Sequence, residues 1–287
     1  MLQLDYQLKK AADFEAQGKF LHAVQIYHTV ISENPTYKIA YIRLATLYDR
    51  MNKLEASVNL LKKFIEAIED DNDIRLFLGE LFLKNSKWDE AIEVLASILT
   101  EEQPVVSFFL GYGFFMLKEF QISKIHFTNF LANNTNSEYH FETYIYLTKI
   151  SIELEQYEDG LNYVKVAEKM FSNWETNQLT GIIYFNQSMY YHASISFEKA
   201  IRLNDKEPGL LEWAGKAYLK LGDFINAHKY LLKYVNSAEA NAEAYTSLAL
   251  ACLNLQKTDE ANTYFEMALA LDPQNQVAIA GKKKCTK

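Results

Sequence analysis

Along this chain the hydrophobic positions repeat with a helical beat that restarts about every 34 residues. A small residue marks one place in each period: Ala23, Ser57, Ala91, Ser123, Gly160, Ala193, Ala227 and Ala261. Four places later stands Tyr27, Leu61, Leu95, Phe127, Val164, Phe197, Leu231 or Phe265, and three places earlier Phe20, Leu54, Trp88, Phe120, Tyr157, Tyr190, Phe224 or Thr258. Twelve places earlier lies a second, mostly small site: Ala11, Ala45, Gly79, Gly111, Thr148, Gly181, Gly215 and Ala249. Within a period, apolar residues return at helical spacing, as in Leu211, Ala214, Gly215 and Tyr218. A polar link such as Gln17-Gly18-Lys19 or Leu221-Gly222-Asp223 then breaks the run. The pattern predicts two amphipathic helices per period and one supersecondary unit stacked many times.

A glycine inside a helix costs about 1 kcal/mol against alanine, so Gly79, Gly111, Gly181 and Gly215 require a packing reason. A close helix crossing supplies one, with Phe82, Phe114, Tyr184 and Tyr218 filling the space beside it. All four prolines fall at repeat junctions, Pro35 and Pro273 after a second helix, Pro104 and Pro208 where a first helix opens. There the missing N–H does no harm.

These residues resemble the tetratricopeptide repeat, whose pattern is plainest in Leu248-Ala249, Cys252, Ala261, Phe265, Ala268 and Pro273. The resemblance runs from residue 4 to 275, with repeats starting near 4, 38, 72, 104, 141, 174, 208 and 242, and leaves 276–287 as a C-terminal cap and tail. It implies an all-α fold, a right-handed α-solenoid superhelix of about eight helix-turn-helix repeats plus a short capping helix. Repeat five departs from the pattern, with Thr148 and Ser151 in place of a small residue and an aromatic. The interval before it is stretched by Asn133-Asn134-Thr135-Asn136-Ser137-Glu138, which predicts the most mobile internal point there.

Composition narrows the function. Hydrophobic residues make up 49% of the 287 residues, enough for a continuous helical core. The net charge of −8 argues against a nucleic-acid partner, which calls for a basic face. No apolar run is long enough to insert in a membrane, and Met1 to Lys10 lack the apolar segment of a signal peptide. Two cysteines, Cys252 and Cys285, point to a reducing, cytoplasmic compartment without a disulfide. Abundant lysine, asparagine and isoleucine beside only Arg43, Arg50, Arg75 and Arg202 suggest a bacterial source.

No catalytic, cofactor or metal site is expected. His22, His28, His126, His140, His192 and His228 show no i, i+4 pairing and no cysteine close in sequence, and read as helix-surface residues. Glu69-Asp70-Asp71-Asn72-Asp73 lacks the glycine and bidentate glutamate of a calcium loop and reads as the start of a helix. Lys282-Lys283-Lys284 reads as a solvated tail.

In the family, first helices line a concave groove where partners bind. Some members clamp a partner's C-terminal carboxylate with lysines, arginine and asparagines. Here the corresponding places hold Leu8, Ala12, Arg43, Asp73, Trp213 and Glu243, so that clamp is not expected. The groove places are instead aromatic, which predicts partner contacts at Phe77, Phe108, Phe109, Tyr112, Phe115, Tyr146, Lys149, Phe185, Trp213 and Lys216. The reading is a non-catalytic scaffold for an apolar or amphipathic protein segment. A ligand- or peptide-sensing regulator and a structural subunit are the alternatives. Val277, Ala278, Ile279 and Ala280 begin a short apolar helix that covers repeat eight thinly and leaves weak end-to-end homodimers open.

Overall fold

The computed structural model describes residues 2–68, 71–100, 103–133, 139–237 and 240–285, which contain seventeen helices and no strand. They fall into two compact units, Met1–Ser137 and Glu138–Lys287. The first unit holds α1 (Leu2–Ala16), α2 (Phe20–Glu33), α3 (Lys38–Arg50), α4 (Leu54–Ala67), α5 (Asn72–Lys84), α6 (Trp88–Ala96), α7 (Val105–Met116) and α8 (Phe120–Asn133). The second holds α9 (His140–Glu153), α10 (Tyr157–Met170), α11 (Trp174–Asn186), α12 (Tyr190–Leu203), α13 (Pro208–Leu221), α14 (Phe224–Val235), α15 (Ala242–Asn254), α16 (Thr258–Leu271) and α17 (Gln276–Cys285). Within each unit consecutive helices pack on one another as stacked hairpins, an all-α helical-repeat solenoid fold. The boundary between units falls in the interval that the sequence shows as stretched. Residues 134–138, where enhanced mobility is expected, lie outside the described residues, as do Glu69 and Asp70.

The period locates the helix ends. Phe20, Leu54, Trp88, Phe120, Tyr157, Tyr190, Phe224 and Thr258 are the first residues of α2, α4, α6, α8, α10, α12, α14 and α16. Two residues before each, the chain takes a left-handed conformation, at Gly18, Asn52, Ser86, Lys118, Glu155, Ser188, Gly222 and Gln256. The next N–H then turns back to a carbonyl five residues earlier, as in Lys87 to Phe82 (2.9 Å) and Asp223 to Tyr218 (3.0 Å). This Schellman closure satisfies carbonyls left over at the end of the first helix. Starts are capped at Asp71, Asn173, Asp223 and Asn241, whose side chains accept from the backbone N–H three residues on.

Every residue of the three series that bear the packing, the small site, the large site four later and the site twelve earlier, is buried. A Cβ added at Gly79 would come within 2.5 Å of Leu95, at Gly111 within 2.9 Å of Phe127, and at Gly181 within 2.6 Å of Phe197. At Gly215 it would overlap the Leu231 branch carbon. The small residue of the first helix thus faces the large residue of its own second helix, sixteen places on. Where the second-helix site is serine the hydroxyl is also used: Ser57 donates to the Ala45 carbonyl (2.8 Å) and Ser123 to that of Gly111 (2.7 Å).

The end helix is more substantial than expected. α17 continues through the lysines to Cys285, buries Ala278 and Gly281, and ties Lys282 to Glu266 at 3.0 Å. Lys282 is therefore part of the cap rather than a free tail.

Candidate functional site

In the first unit the residues expected to contact a partner sit on α5 and α7. The α7 sequence is apolar on every side, so periodicity alone does not say which ring faces the core. Phe108 is 7% exposed, and its ring packs against Phe127 (5.7 Å) and Phe130 (5.7 Å). It is a core residue, which corrects its assignment to the groove. Phe77, Phe109 and Tyr112 are half-buried and lie on the core of repeats two to four. Tyr112 meets the edge of Trp88 at 5.9 Å, and half-buried Phe115 meets Phe120 at 5.8 Å. Asp73, the acid on the groove side of α5, is engaged by Lys38 and Gln103. The Lys38 hydrogen bond holds its carboxyl below the usual aspartate range.

In the second unit two first helices present a ring and a lysine one turn apart. On α9, Lys149 lies 5.5 Å from the Tyr146 ring centre and bonds Glu175 of α11 at 2.7 Å. On α13, Lys216 lies 5.8 Å from the Trp213 ring centre, 2.8 Å from Glu212 and 2.9 Å from Glu243 of α15. Burial pulls the Lys216 pKa down, but the bonds to Glu212 and Glu243 outweigh it and hold the ammonium above the usual lysine value. Trp213 stacks on buried Phe197 at 5.8 Å and takes Phe185 edge-on at 5.4 Å. Beside this pair opens a cavity of about 430 Å³, walled further by Leu219, Lys220, Ser247, Leu250 and Val277. Most of its wall is apolar, and Lys216 within it is paired with Glu212 and Glu243.

Residues 42–104 and 242–275 match family models described as the tetratricopeptide repeat. These two stretches are tetratricopeptide repeats.

Among curated proteins, this repeat protein is 33% identical over 97 residues to "DnaJ homolog subfamily C member 3" of Gallus gallus, across 34% of the chain and 19% of that protein. It is 21% identical over 239 residues to "BBSome complex member BBS4" of Bos taurus, across 83% of the chain and 40% of that protein. The chain therefore spans well under half the length of these relatives. Among solved structures, that from "Functional Characterization of Pseudomonas Aeruginosa pilF" superposes with a TM-score of 0.62 at 16% identity, covering 74% of this chain and 96% of the other. "Crystal structure of APC/C hetero-tetramer Cut9-Hcn1" gives 0.59 at 18% identity, covering 99% and 56%. At these identities the structures show the fold alone. Tetratricopeptide repeats serve in general as protein–protein interaction scaffolds and are typically non-catalytic. No helix among the described residues is long and apolar enough to cross a membrane.

Two arrangements in the repeat protein escape sequence reading. His126 is a half-buried ring stacked on Phe114 at 5.3 Å, and burial keeps its pKa below the usual histidine value. His228, which has no cysteine near it in sequence, meets Cys252 and Glu260 across three helices, with ligand atoms all within 4.8 Å of one another. The signal was the place of Cys252 in the period, one that every other repeat except the fifth fills with a ring. Desolvation, with a contribution from the Glu260 charge, pushes the Cys252 thiol up to about 11.

Proposed function

We propose that this chain is a non-catalytic scaffold that takes an apolar or amphipathic protein segment against the aromatic side of its first helices. The observation that carries the reading is the cavity beside Phe185 and Trp213, where Lys216 is held by Glu212 and Glu243 and the larger part of the wall is apolar, with Lys220 at its exposed side. Aromatic anchors in such grooves contribute about 2 kcal/mol or more each. A helix laid in a hydrophobic groove reads as anchors on one of its faces. In the first unit Phe77, Phe109, Tyr112 and Phe115 offer a comparable face. The free cysteines support a reducing, cytoplasmic setting. A second reading, a structural subunit of a larger assembly, is favoured by the similarity across 83% of the chain to a protein named as a complex member.

A displayed library of random peptides, panned on the full chain, tests the reading. The expected winners carry apolar residues at helical spacing, and Val277→Glu, which puts a charge on the cavity wall at an exposed position, should abolish their enrichment. Enrichment of acidic or basic peptides without apolar anchors would overturn it.

A further inference from the structure

His228 on α14, Cys252 on α15 and Glu260 on α16 lie on three successive helices and are adjacent in space. Each offers one donor, and the three ligand atoms lie within 4.8 Å of one another. A departure from the period creates the spot. Where Phe14, Tyr48, Phe82, Phe114, Tyr184 and Tyr218 stand in other repeats, repeat eight has the much smaller Cys252. In repeat seven the corresponding Tyr218 instead reaches across to Glu198. The His228 Nε2 is shut off from solvent yet makes no hydrogen bond, and Glu260 approaches it only at 3.5 Å. The thiol is fully buried, while the His228 side chain is 17% and that of Glu260 48% exposed, so the cluster opens to solvent on the carboxylate side. Lys257 also reaches Glu260, at 3.2 Å.

We propose that His228, Cys252 and Glu260 bind one divalent ion of the zinc type, with water as the fourth ligand. Sulfur, imidazole and carboxylate together favour zinc over the hard ions magnesium and calcium, which take oxygen donors. Tetrahedral bonds to zinc place such donors about 3.5 Å apart, so an adjustment on the order of 1 Å by the partly exposed Glu260 and His228 completes the site. On binding, the Cys252 thiol releases its proton to solvent and the thiolate sulfur bonds the metal. Nε2 of neutral His228 gives its lone pair, and Nδ1 keeps the ring proton. Glu260 gives Oε2, which releases its 3.3 Å contact with Lys257, and keeps Lys257 on Oε1 at 3.2 Å. No electron is transferred. The ion joins the second helix of repeat seven to both helices of repeat eight, and so stabilises the end of the second unit by mass action.

Cobalt(II) is the probe. Titrated into the full chain, it should saturate at one equivalent, give thiolate-to-cobalt charge-transfer absorption, and be displaced by zinc. Cys252→Ser should lose the band and Cys285→Ser keep it. His228→Gln alters a side chain outside the core and should weaken cobalt by about 100-fold or more with helicity unchanged. That variant keeps the test decisive if Cys252→Ser folds poorly. A wild-type titration without a thiolate band, a band that survives in Cys252→Ser, or one unaffected by His228→Gln overturns the proposal.

Discussion

Repeats five and seven carry the same ring-and-lysine arrangement on differently built cores. Tyr146 with Lys149 and Trp213 with Lys216 are equivalent pairs, and each lysine is gripped by the glutamate near the start of the next first helix, Glu175 or Glu243. Beneath them the packing differs. Repeat seven sets Gly215 against Leu231, with Ala227 at the small site. Repeat five has Thr148, Gly160 and Val164 at the corresponding places, larger on the first helix and smaller on the second. The space over Gly160 is filled from repeat six by Ile183, whose end carbon would lie 3.1 Å from an added Cβ. Volume moves from one helix to its neighbour and the stack survives, which is the tolerance expected when total core volume is kept. What looks degenerate in the sequence is a redistribution.

The largest expected effect comes from one substitution made in both repeats. Gly215→Ala drives a methyl into the Leu231 branch carbon and should destabilise by about 1–3 kcal/mol, more than the helix-propensity gain of about 1 kcal/mol returns. Gly160→Ala meets only the movable end of Ile183 and the Ser151 Cβ at 3.3 Å, and should stay within about 1 kcal/mol of wild type. Urea denaturation with local hydrogen exchange measures both, and equal losses would break the comparison. Next come the turns. Gly222→Ala should lose about 1 kcal/mol at a φ of 85°, whereas Glu155→Gly, at a φ of 56°, should gain up to about 1 kcal/mol.

Smaller still is Ser151→Ala. The Ser151 hydroxyl is buried without a hydrogen-bond partner, so its removal should be neutral or stabilising by up to about 1 kcal/mol in thermal melts. A clear loss would mean that the hydroxyl is satisfied. Last are the ion pairs. Lys149→Met at the more exposed pair should cost less than about 1 kcal/mol, and salt should shrink that difference. The Lys216 contribution has a raised folded pKa. It should be fully present below the ordinary lysine value of about 10.4 and vanish only as pH climbs through its own higher one, so the Lys216→Met difference should be flat around neutrality.

Much of this was legible in the chain. The residue three before each small site opens the second helix in all eight repeats, because the same small–large pairing fixes where two helices can cross. Phe108 was not legible, since α7 is apolar all round and only its neighbours Phe127 and Phe130 decide which ring turns inward. Nor were the left-handed residues Asn52, Ser86, Lys118, Glu155, Ser188 and Gln256, whose side chains do not announce a conformation that glycine adopts more readily. The meeting of His228 with Cys252 depends on the stacking of adjacent repeats, which neighbours in sequence do not reveal.

The central claim is that apolar wall, rather than charge, makes the groove of repeats six to eight a binding surface. Calorimetric titration of a library-selected peptide into wild type and Val277→Glu, each at low and high salt, addresses it most directly. Wild-type affinity should hold as salt rises, because apolar contacts are barely screened, and Val277→Glu should abolish binding while leaving helicity intact. Affinity that collapses with salt, or that Val277→Glu leaves unchanged, would contradict the claim.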